Sequence, residues 1–312
     1  MKNIRVISNC ATAISDELRE AVRAAREAGY EVEVRVAWEQ EDGALFAREA
    51  ADAGCERIIV CGGDGTWSAA ARGVFGSSRR LEVRLGLVPC GTGNDFARMF
   101  KLDTWGLPRL LPSLLASEQV TPLDMIQVRR GAPGEEEAVG VFVNVATGGF
   151  VAEVTPETPA LLKHSLGGAA YVVTGLLKMS QAQGHPMRVE GSGLEPTEGR
   201  LLGLCVGNGR YAGGGFDVCP EARPDNGLME VTMAAAGPEG ARVTRPLWEW
   251  LAGDSNDGEH VRQARTSRLV VSSEMSVQFN LDGEPVRGQR FIFEVIPDAL
   301  AFVLPAAGTR PA

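Results

Sequence analysis

The sequence predicts an α/β fold in its first half and a β-rich fold in its second half, organised as two domains. Between residues 4 and 99, short apolar runs alternate with segments whose apolar residues recur at helical spacing. This alternation is typical of a parallel sheet with helices on its faces. After about residue 120, apolar runs are separated by turn residues, which is typical of an antiparallel sheet. We therefore expect one domain over residues 1–122 and a second over residues 123–297.

Each element follows from a local pattern. Leu18, Val22 and Ala25 recur at helical spacing before Gly29, which favours a helix that ends there. Apolar runs and alternating segments favour strands. In the first half we expect strands at residues 4–9, 31–37, 57–61 and 85–88, and helices at residues 15–27, 44–53, 67–75 and 96–99. In the second half we expect one long helix at residues 161–179 and strands at residues 123–129, 139–145, 201–206, 228–233, 269–271, 275–281 and 290–295.

Composition narrows the class of protein. A formal net charge of -9 argues against a general nucleic-acid binder, because phosphate backbones are bound by an excess of Lys and Arg. No run reaches the roughly 18 uncharged apolar residues that cross a bilayer, and residues 1–10 do not form a signal peptide. The six cysteines occur singly, without metal-ligand spacing, as expected of reduced thiols. We expect a cytoplasmic protein without a transmembrane segment.

A glycine-rich turn at residues 62–66, Gly-Gly-Asp-Gly-Thr, follows the strand predicted at residues 57–61. Glycine backbone can approach phosphates closely, and the N-terminus of the next helix supplies N–H donors and a positive dipole. The alternative is a plain turn capped by Asp64 or Thr66, but a cap does not need three glycines. The segment matches neither the Walker nor the dinucleotide pattern and contains no lysine. Mg²⁺ would then offset the phosphate charge, and Asp64 is placed to hold that ion or its water.

A second glycine-rich turn, at residues 91–95, follows the strand predicted at residues 85–88. Taken alone, it fits a turn in which Asn94 caps the next helix. Ligands of open parallel sheets bind beyond the carboxyl ends of the strands, so we expect both turns to meet one ligand.

These two turns closely resemble the diacylglycerol kinase catalytic-domain family, which includes sphingosine and ceramide kinases. The resemblance covers residues 62–66 and 89–98 and extends along nearly the whole chain through residues 144–150, 207–215, 220–222, 227–228 and 281–285. Residues 34–39 also resemble the single-chain bacterial lipid kinases of the YegS type. The resemblance implies a nucleotide-binding domain, a β-rich lipid-substrate domain and an active cleft between them. It leaves open whether residues 298–312 return to the first domain.

The activity implied by the resemblance is ATP-dependent transfer of the γ-phosphoryl group to a hydroxyl of a lipid such as diacylglycerol. The enzyme would meet this lipid at a membrane surface, peripherally at the inner face. The implied ATP-binding residues are those of the two turns and the three residues that follow the first turn. They are Gly62, Gly63, Asp64, Gly65, Thr66, Trp67, Ser68, Ala69, Gly91, Thr92, Gly93, Asn94 and Asp95. Ala37 stands where the resemblance implies a nucleotide-contacting threonine.

Asp282 and Glu284 are the implied catalytic acids, and which of them takes the proton of the acceptor hydroxyl stays open. Taken alone, Asp282-Gly283 is a strong signal for a hairpin turn. The resemblance also implies a structural Mg²⁺ held by Arg223, Asp225, Asn226 and Leu228, in part through backbone carbonyls. Asn226 occupies the place of an acidic ligand, so metal affinity should fall or Asp225 should substitute.

Two other functions remain as alternatives. An NAD kinase shares a similar Gly-Gly-Asp-Gly-Thr turn, although residues 89–97 argue against it. A catalytically silent lipid- or nucleotide-binding protein is suggested by Ala37 and Asn226. The identity of the lipid and the oligomeric state, including a homodimer, stay open.

Overall fold

The computed structural model describes residues 3–149, 184–236 and 261–306. The chain divides into two compact units, one formed by Met1–Met125 with Pro297–Ala312 and the other by Ile126–Ile296. The helix predicted at residues 161–179 lies outside the described residues. Within the described part of the chain, no helix is both long and apolar enough to span a membrane.

The first unit is a parallel sheet flanked by helices, as the alternating pattern predicts. Its strands are β1 (Asn3–Asn9), β2 (Glu31–Ala37), β3 (Arg57–Gly62) and β4 (Arg84–Pro89), joined by the end of a later strand, β15 (Glu284–Val303). The helices are α1 (Cys10–Ala13), α2 (Asp16–Glu27), α3 (Gln40–Asp52), α4 (Asp64–Phe75), α5 (Asp95–Met99) and α6 (Leu107–Ala116). The strand order is β15-β4-β3-β1-β2, and all of these neighbours are parallel.

The central strands carry the core of this unit. Every residue of β3 is buried, which explains the apolar run at residues 58–61 that follows Arg57. Because β3 and β4 are parallel neighbours, with Gly62 opposite Pro89, their carboxyl ends reach the same edge of the sheet. The chain returns at its end to the same sheet, where Ala301 and Phe302 pair with the start of β4.

Helix α6 is an element that the sequence pattern does not predict. Pro108 lies in its first turn, where a missing N–H costs nothing, and Pro112 lies inside it. Leu110, Leu111 and Leu114 are fully buried, so packing stabilises the helix despite its prolines. At its end, the buried Arg57 guanidinium donates to the carbonyls of Leu114 and Ser117, both at 2.6 Å.

The second unit is built from antiparallel strands. They are β5 (Val120–Arg130), β6 (Glu137–Phe142), β7 (Val145–Gly149), β8 (His185–Gly191), β9 (Thr197–Gly207), β10 (Tyr211–Ala212), β11 (Phe216–Asp217), β12 (Met229–Ala235), β13 (Val261–Thr266), β14 (Arg268–Leu281) and most of β15. The main order is β13-β12-β9-β7-β14-β15. Several elements differ from the prediction: residues 139–145 contain a break between β6 and β7, and residues 269–281 form one strand with a bulge. The predicted strand at residues 290–295 is part of the longer β15, and β8 and β13 were not predicted.

Candidate active site

The first glycine-rich turn connects β3 directly to the N-terminus of α4. The N-cap residue, Gly63, has no side chain with which to cap the helix, so the first-turn N–H groups receive no side-chain hydrogen bond from it. The turn is tight: a Cβ added to Gly62 would lie 2.7 Å from the side chain of Thr66. The uncapped helix start therefore provides backbone donors for an anion at the carboxyl edge of the sheet.

Three of the residues predicted to bind ATP have side chains that are buried in the core. Trp67, Ser68 and Ala69 are at most 2% exposed. The Trp67 ring stacks on Phe96 at 4.8 Å between centroids, and Arg72 donates to the Ser68 hydroxyl at 3.1 Å. These residues anchor the start of α4, and only their backbone remains to meet a ligand.

The second turn is held in shape by Asn94. Its Oδ1 accepts the N–H of Gly91 at 3.0 Å and its Nδ2 donates to the Gly91 carbonyl at 2.8 Å. Asn94 adopts a positive φ of 53°, a conformation that asparagine tolerates better than most residues. The structure thus gives Asn94 a bracing contact with Gly91 and leaves Thr92, beside it, exposed.

The two turns contact each other through backbone. A Cβ added to Gly91 would lie only 2.5 Å from the Cα of Gly63. The Cys90 N–H donates to the Gly62 carbonyl at 2.8 Å, and the Phe96 N–H donates to Asp64 Oδ1 at 3.3 Å. The sequence predicts that both turns lie at the carboxyl edge of the sheet, and in the structure they are in direct contact.

Cys90, next to the second turn, is not an activated nucleophile. Burial raises the pKa of the Cys90 thiol, although a hydrogen bond with the Thr12 side chain opposes that shift. A thiol with a raised pKa stays protonated at neutral pH and is a weak nucleophile. Asp95, also predicted to bind ATP, is only 6% exposed. The site in this unit is therefore made mainly of backbone groups.

In the second unit, Asp282 and Gly283 form the two-residue turn between β14 and β15. Both have positive φ, 48° and 104°, as a type I′ hairpin requires, and Leu281 pairs with Glu284 across the turn. The hairpin expected from Asp-Gly is therefore present. Glu284 is the first residue of β15 and is partly exposed.

The Asp282 carboxylate binds three consecutive backbone N–H groups. Oδ2 accepts from Val143 at 2.9 Å, and Oδ1 accepts from Asn144 at 3.1 Å and from Val145 at 2.9 Å. These are the N–H groups at the break between β6 and β7, so the side chain of Asp282 satisfies donors that the sheet does not. This binding explains why the strand predicted at residues 139–145 is interrupted.

Asn144 and Asn208 extend the same network. The Asn144 carbonyl accepts the N–H groups of Asn208 and Gly209 at 2.9 and 2.8 Å, and Asn208 Nδ2 donates to the Val143 carbonyl at 2.8 Å. Asn208 is fully buried. Sequence reasoning noted both asparagines as parts of motifs but assigned neither a role. Their common link to the Asp282 hairpin becomes apparent only in three dimensions.

The turn predicted to hold a structural Mg²⁺ offers few charged side-chain ligands. Arg223, Asp225 and Asn226 are exposed, and Asn226 Oδ1 already accepts the Leu228 N–H at 3.0 Å. An amide carries no charge to attract a hard cation. Across residues 3–149, 184–236 and 261–306, no three His, Cys, Asp or Glu side chains are grouped to bind a metal ion.

A buried carboxyl lies just beyond this turn. Glu230 is 2% exposed, and its Oε2 accepts the Glu221 N–H at 2.6 Å. Burial raises the pKa of Glu230 to about 7, because the charged form loses its hydration. Near neutral pH this carboxyl is therefore only partly ionised, and it adds less than a full negative charge beside the neighbouring turn.

Comparison with known proteins agrees with this organisation. Residues 3–128 match the profile described as the diacylglycerol kinase catalytic domain, and residues 136–304 match the YegS C-terminal NAD kinase beta sandwich-like domain. The protein named "Probable lipid kinase YegS-like" from Pectobacterium atrosepticum is 35% identical over 300 residues, which are 96% of this chain and 95% of that protein. Its namesake from Stenotrophomonas maltophilia is 38% identical over 307 residues, covering 97% and 96%. The chain belongs to the YegS-like family.

A solved structure supports the fold of this YegS-like chain. A diacylglycerol kinase from Bacillus anthracis superposes with a TM-score of 0.72 at 17% identity, covering 98% of both chains. The resemblance inferred from the motifs is thus confirmed, as is the pairing of an α/β first region with a β-rich second region. The YegS-like chain is a lipid kinase homologue of the diacylglycerol kinase family.

We predict that Asp282→Asn destabilises the YegS-like chain. Asparagine offers one acceptor oxygen where the carboxylate offers two, so at least one of the three N–H groups loses its partner. Each such loss costs about 1–3 kcal/mol of unfolding free energy. Urea denaturation should show this decrease, while Asp298→Asn, which changes an exposed aspartate that also has a positive φ, should show little. Equal stability of both variants would contradict the bracing role.

Proposed function

We propose that this protein is an ATP-dependent lipid kinase that transfers the γ-phosphoryl group to a hydroxyl of a glycerolipid such as diacylglycerol. The observation that carries the proposal is the contact between Gly63 and Gly91 at the uncapped start of α4. Two side-chain-free turns in contact make a backbone surface on which a polyphosphate can lie closely. Membership of the diacylglycerol kinase family supports ATP as the phosphoryl donor.

The nucleotide enters as MgATP in this proposal. Residues 62–66 contain no lysine, so the magnesium ion that accompanies the substrate offsets part of the phosphate charge. The protein contributes N–H donors from the start of α4 and from the second turn. Asp64 holds the two turns together through the Phe96 N–H, and Thr92 offers an exposed hydroxyl. Selectivity for the phosphates then follows from backbone geometry.

We assign the role of general base to Glu284. The oxygens of Asp282 already accept three backbone N–H groups, which gives that residue a positioning role. Glu284 follows the rigid hairpin and takes the proton of the lipid hydroxyl as its oxygen bonds to the γ-phosphorus. The bond from that phosphorus to the β,γ-bridging oxygen breaks, and ADP leaves with the electron pair.

The direct test is transfer of labelled γ-phosphate from MgATP to vesicles that contain diacylglycerol. We expect a labelled lipid product from the folded wild-type protein. The description of the second region as NAD kinase-like keeps NAD as a second acceptor to assay in parallel. Label on NAD alone would favour a soluble-substrate kinase. ATP binding without transfer to any acceptor would favour a catalytically silent protein, and either result would contradict the proposal.

We predict that Glu284→Gln lowers kcat on the lipid by about 10²–10⁴-fold, the usual contribution of a general base. Glutamine keeps the size of the side chain but cannot take the proton. The affinity for MgATP, measured by calorimetry, should stay within twofold because the phosphate-binding turns are unchanged. Glu274→Gln, which changes an exposed acid on β14, is the matched control. A kcat for Glu284→Gln equal to that of the control would remove Glu284 from the mechanism.

We predict that Gly65→Ala weakens MgATP binding without destabilising the fold. A Cβ at Gly65 meets no protein atom within 4 Å, so the substitution does not disturb the protein itself. A loss of MgATP affinity would therefore show that the ligand lies against the backbone of Gly65. Blocking one charge-assisted hydrogen bond should weaken binding about tenfold. Gly76→Ala, at the other end of α4, should bind normally. Unchanged affinity in Gly65→Ala would argue against phosphates lying along the first turn.

A further inference from the structure

Trp38 is an exposed aromatic residue at the carboxyl edge of the parallel sheet. It directly follows β2 and is 82% exposed, although tryptophan is on average a highly buried residue type. Its indole therefore adds little to the core of the unit. A large flat apolar ring held at a ligand-binding edge is suited to stack on another flat ring.

The register of the sheet relates Trp38 to the first glycine-rich turn. Cys61 pairs with Ser8, and Ser8 pairs with Val36, so one row crosses β3, β1 and β2. Trp38 directly follows Ala37, the last residue of β2, and Gly63 directly follows Gly62, the last residue of β3. β1 separates β2 from β3, and adjacent strands are about 4.8 Å apart, so the strand ends from which Trp38 and Gly63 continue lie roughly 10 Å apart.

The backbone of Trp38 is fixed by the start of α3. Asp42 Oδ2 accepts the N–H groups of Trp38 and Glu39 at 2.9 and 3.0 Å, in a capping box. The indole is thus presented from an ordered backbone rather than from a loose loop, which lowers the entropy lost when a ligand binds. These contacts use main-chain groups, so they survive replacement of the side chain.

We propose that Trp38 is the stacking platform for the purine base of the nucleotide. This inference rests on the proposed function, because the phosphates must lie on the two glycine-rich turns. The base then extends from Gly63 past the end of β1 to the indole. An aromatic ring can stack on either purine base, because both have a flat π-face. Trp38 therefore strengthens binding of purine nucleotides in general and does not by itself select ATP over GTP.

The test compares ligands with and without a base. Calorimetry with MgATP should show about tenfold weaker binding to Trp38→Ala than to the wild type, the usual effect of removing one stacked ring. MgGTP should lose a similar factor. Magnesium tripolyphosphate, which has no base, should bind both proteins equally, and Trp38→Phe should keep most of the affinity for MgATP.

Leu81→Ala is the matched control, since Leu81 is 62% exposed and precedes β4 at the opposite edge of the sheet. It should not change any of these affinities. Equal MgATP affinity of Trp38→Ala and the wild type, or an equal loss for MgATP and tripolyphosphate, would overturn the stacking role alone. A loss confined to vesicle binding would assign Trp38 to the lipid surface instead. Failure of the wild type to bind MgATP would overturn the proposed function as well.

Discussion

The close approach of Gly63 to Gly91 is the constraint on which the nucleotide-binding edge depends. Gly91 cannot carry a side chain without separating the two turns, because its Cβ would lie 2.5 Å from the Gly63 Cα. A Cβ on Gly63 would also be tight, at 3.1 Å from the Gly91 Cα. The contact also requires that β3 and β4 be parallel neighbours ending at the same level. The parallel sheet, the two turns and the uncapped start of α4 therefore form one structural unit.

In the second unit, the carboxylate of Asp282 holds a segment of backbone in place. Its oxygens satisfy the N–H groups of residues 143–145, where the strand ladder is interrupted, and the Asn144 carbonyl in turn holds the start of the Asn208 turn. A charged group that accepts several N–H bonds stabilises a bend that the chain would otherwise avoid. In the mechanism that we propose, Asp282 positions the hairpin and Glu284, two residues later, takes the proton.

The sequence predicts these features unevenly, for physical reasons. Local signals suffice for the strand, turn and helix order around residues 57–75 and for the Asp-Gly hairpin, since each depends on neighbouring residues. Helix α6 is missed because Pro112 obscures a pattern that burial of Leu110 and Leu114 stabilises. The bracing role of Asp282 is missed because its partners are nearly 140 residues away. Asn94 was expected to meet the ligand, and its bonds to Gly91 become visible only in the folded turn.

A lysine-free phosphate site has a consequence for how the nucleotide is recognised. Backbone N–H groups and a helix dipole contribute modest, short-range attraction, and the net charge of -9 does not favour a polyphosphate. Part of the affinity must therefore come from the magnesium ion that accompanies ATP and from the base and ribose. The exposed ring of Trp38 lies where such a contribution is needed, at the far end of the same edge. On this view the glycine-rich turns determine where the phosphates lie. Stacking of the base on Trp38, two strands away from the first turn, then determines how tightly the nucleotide is held.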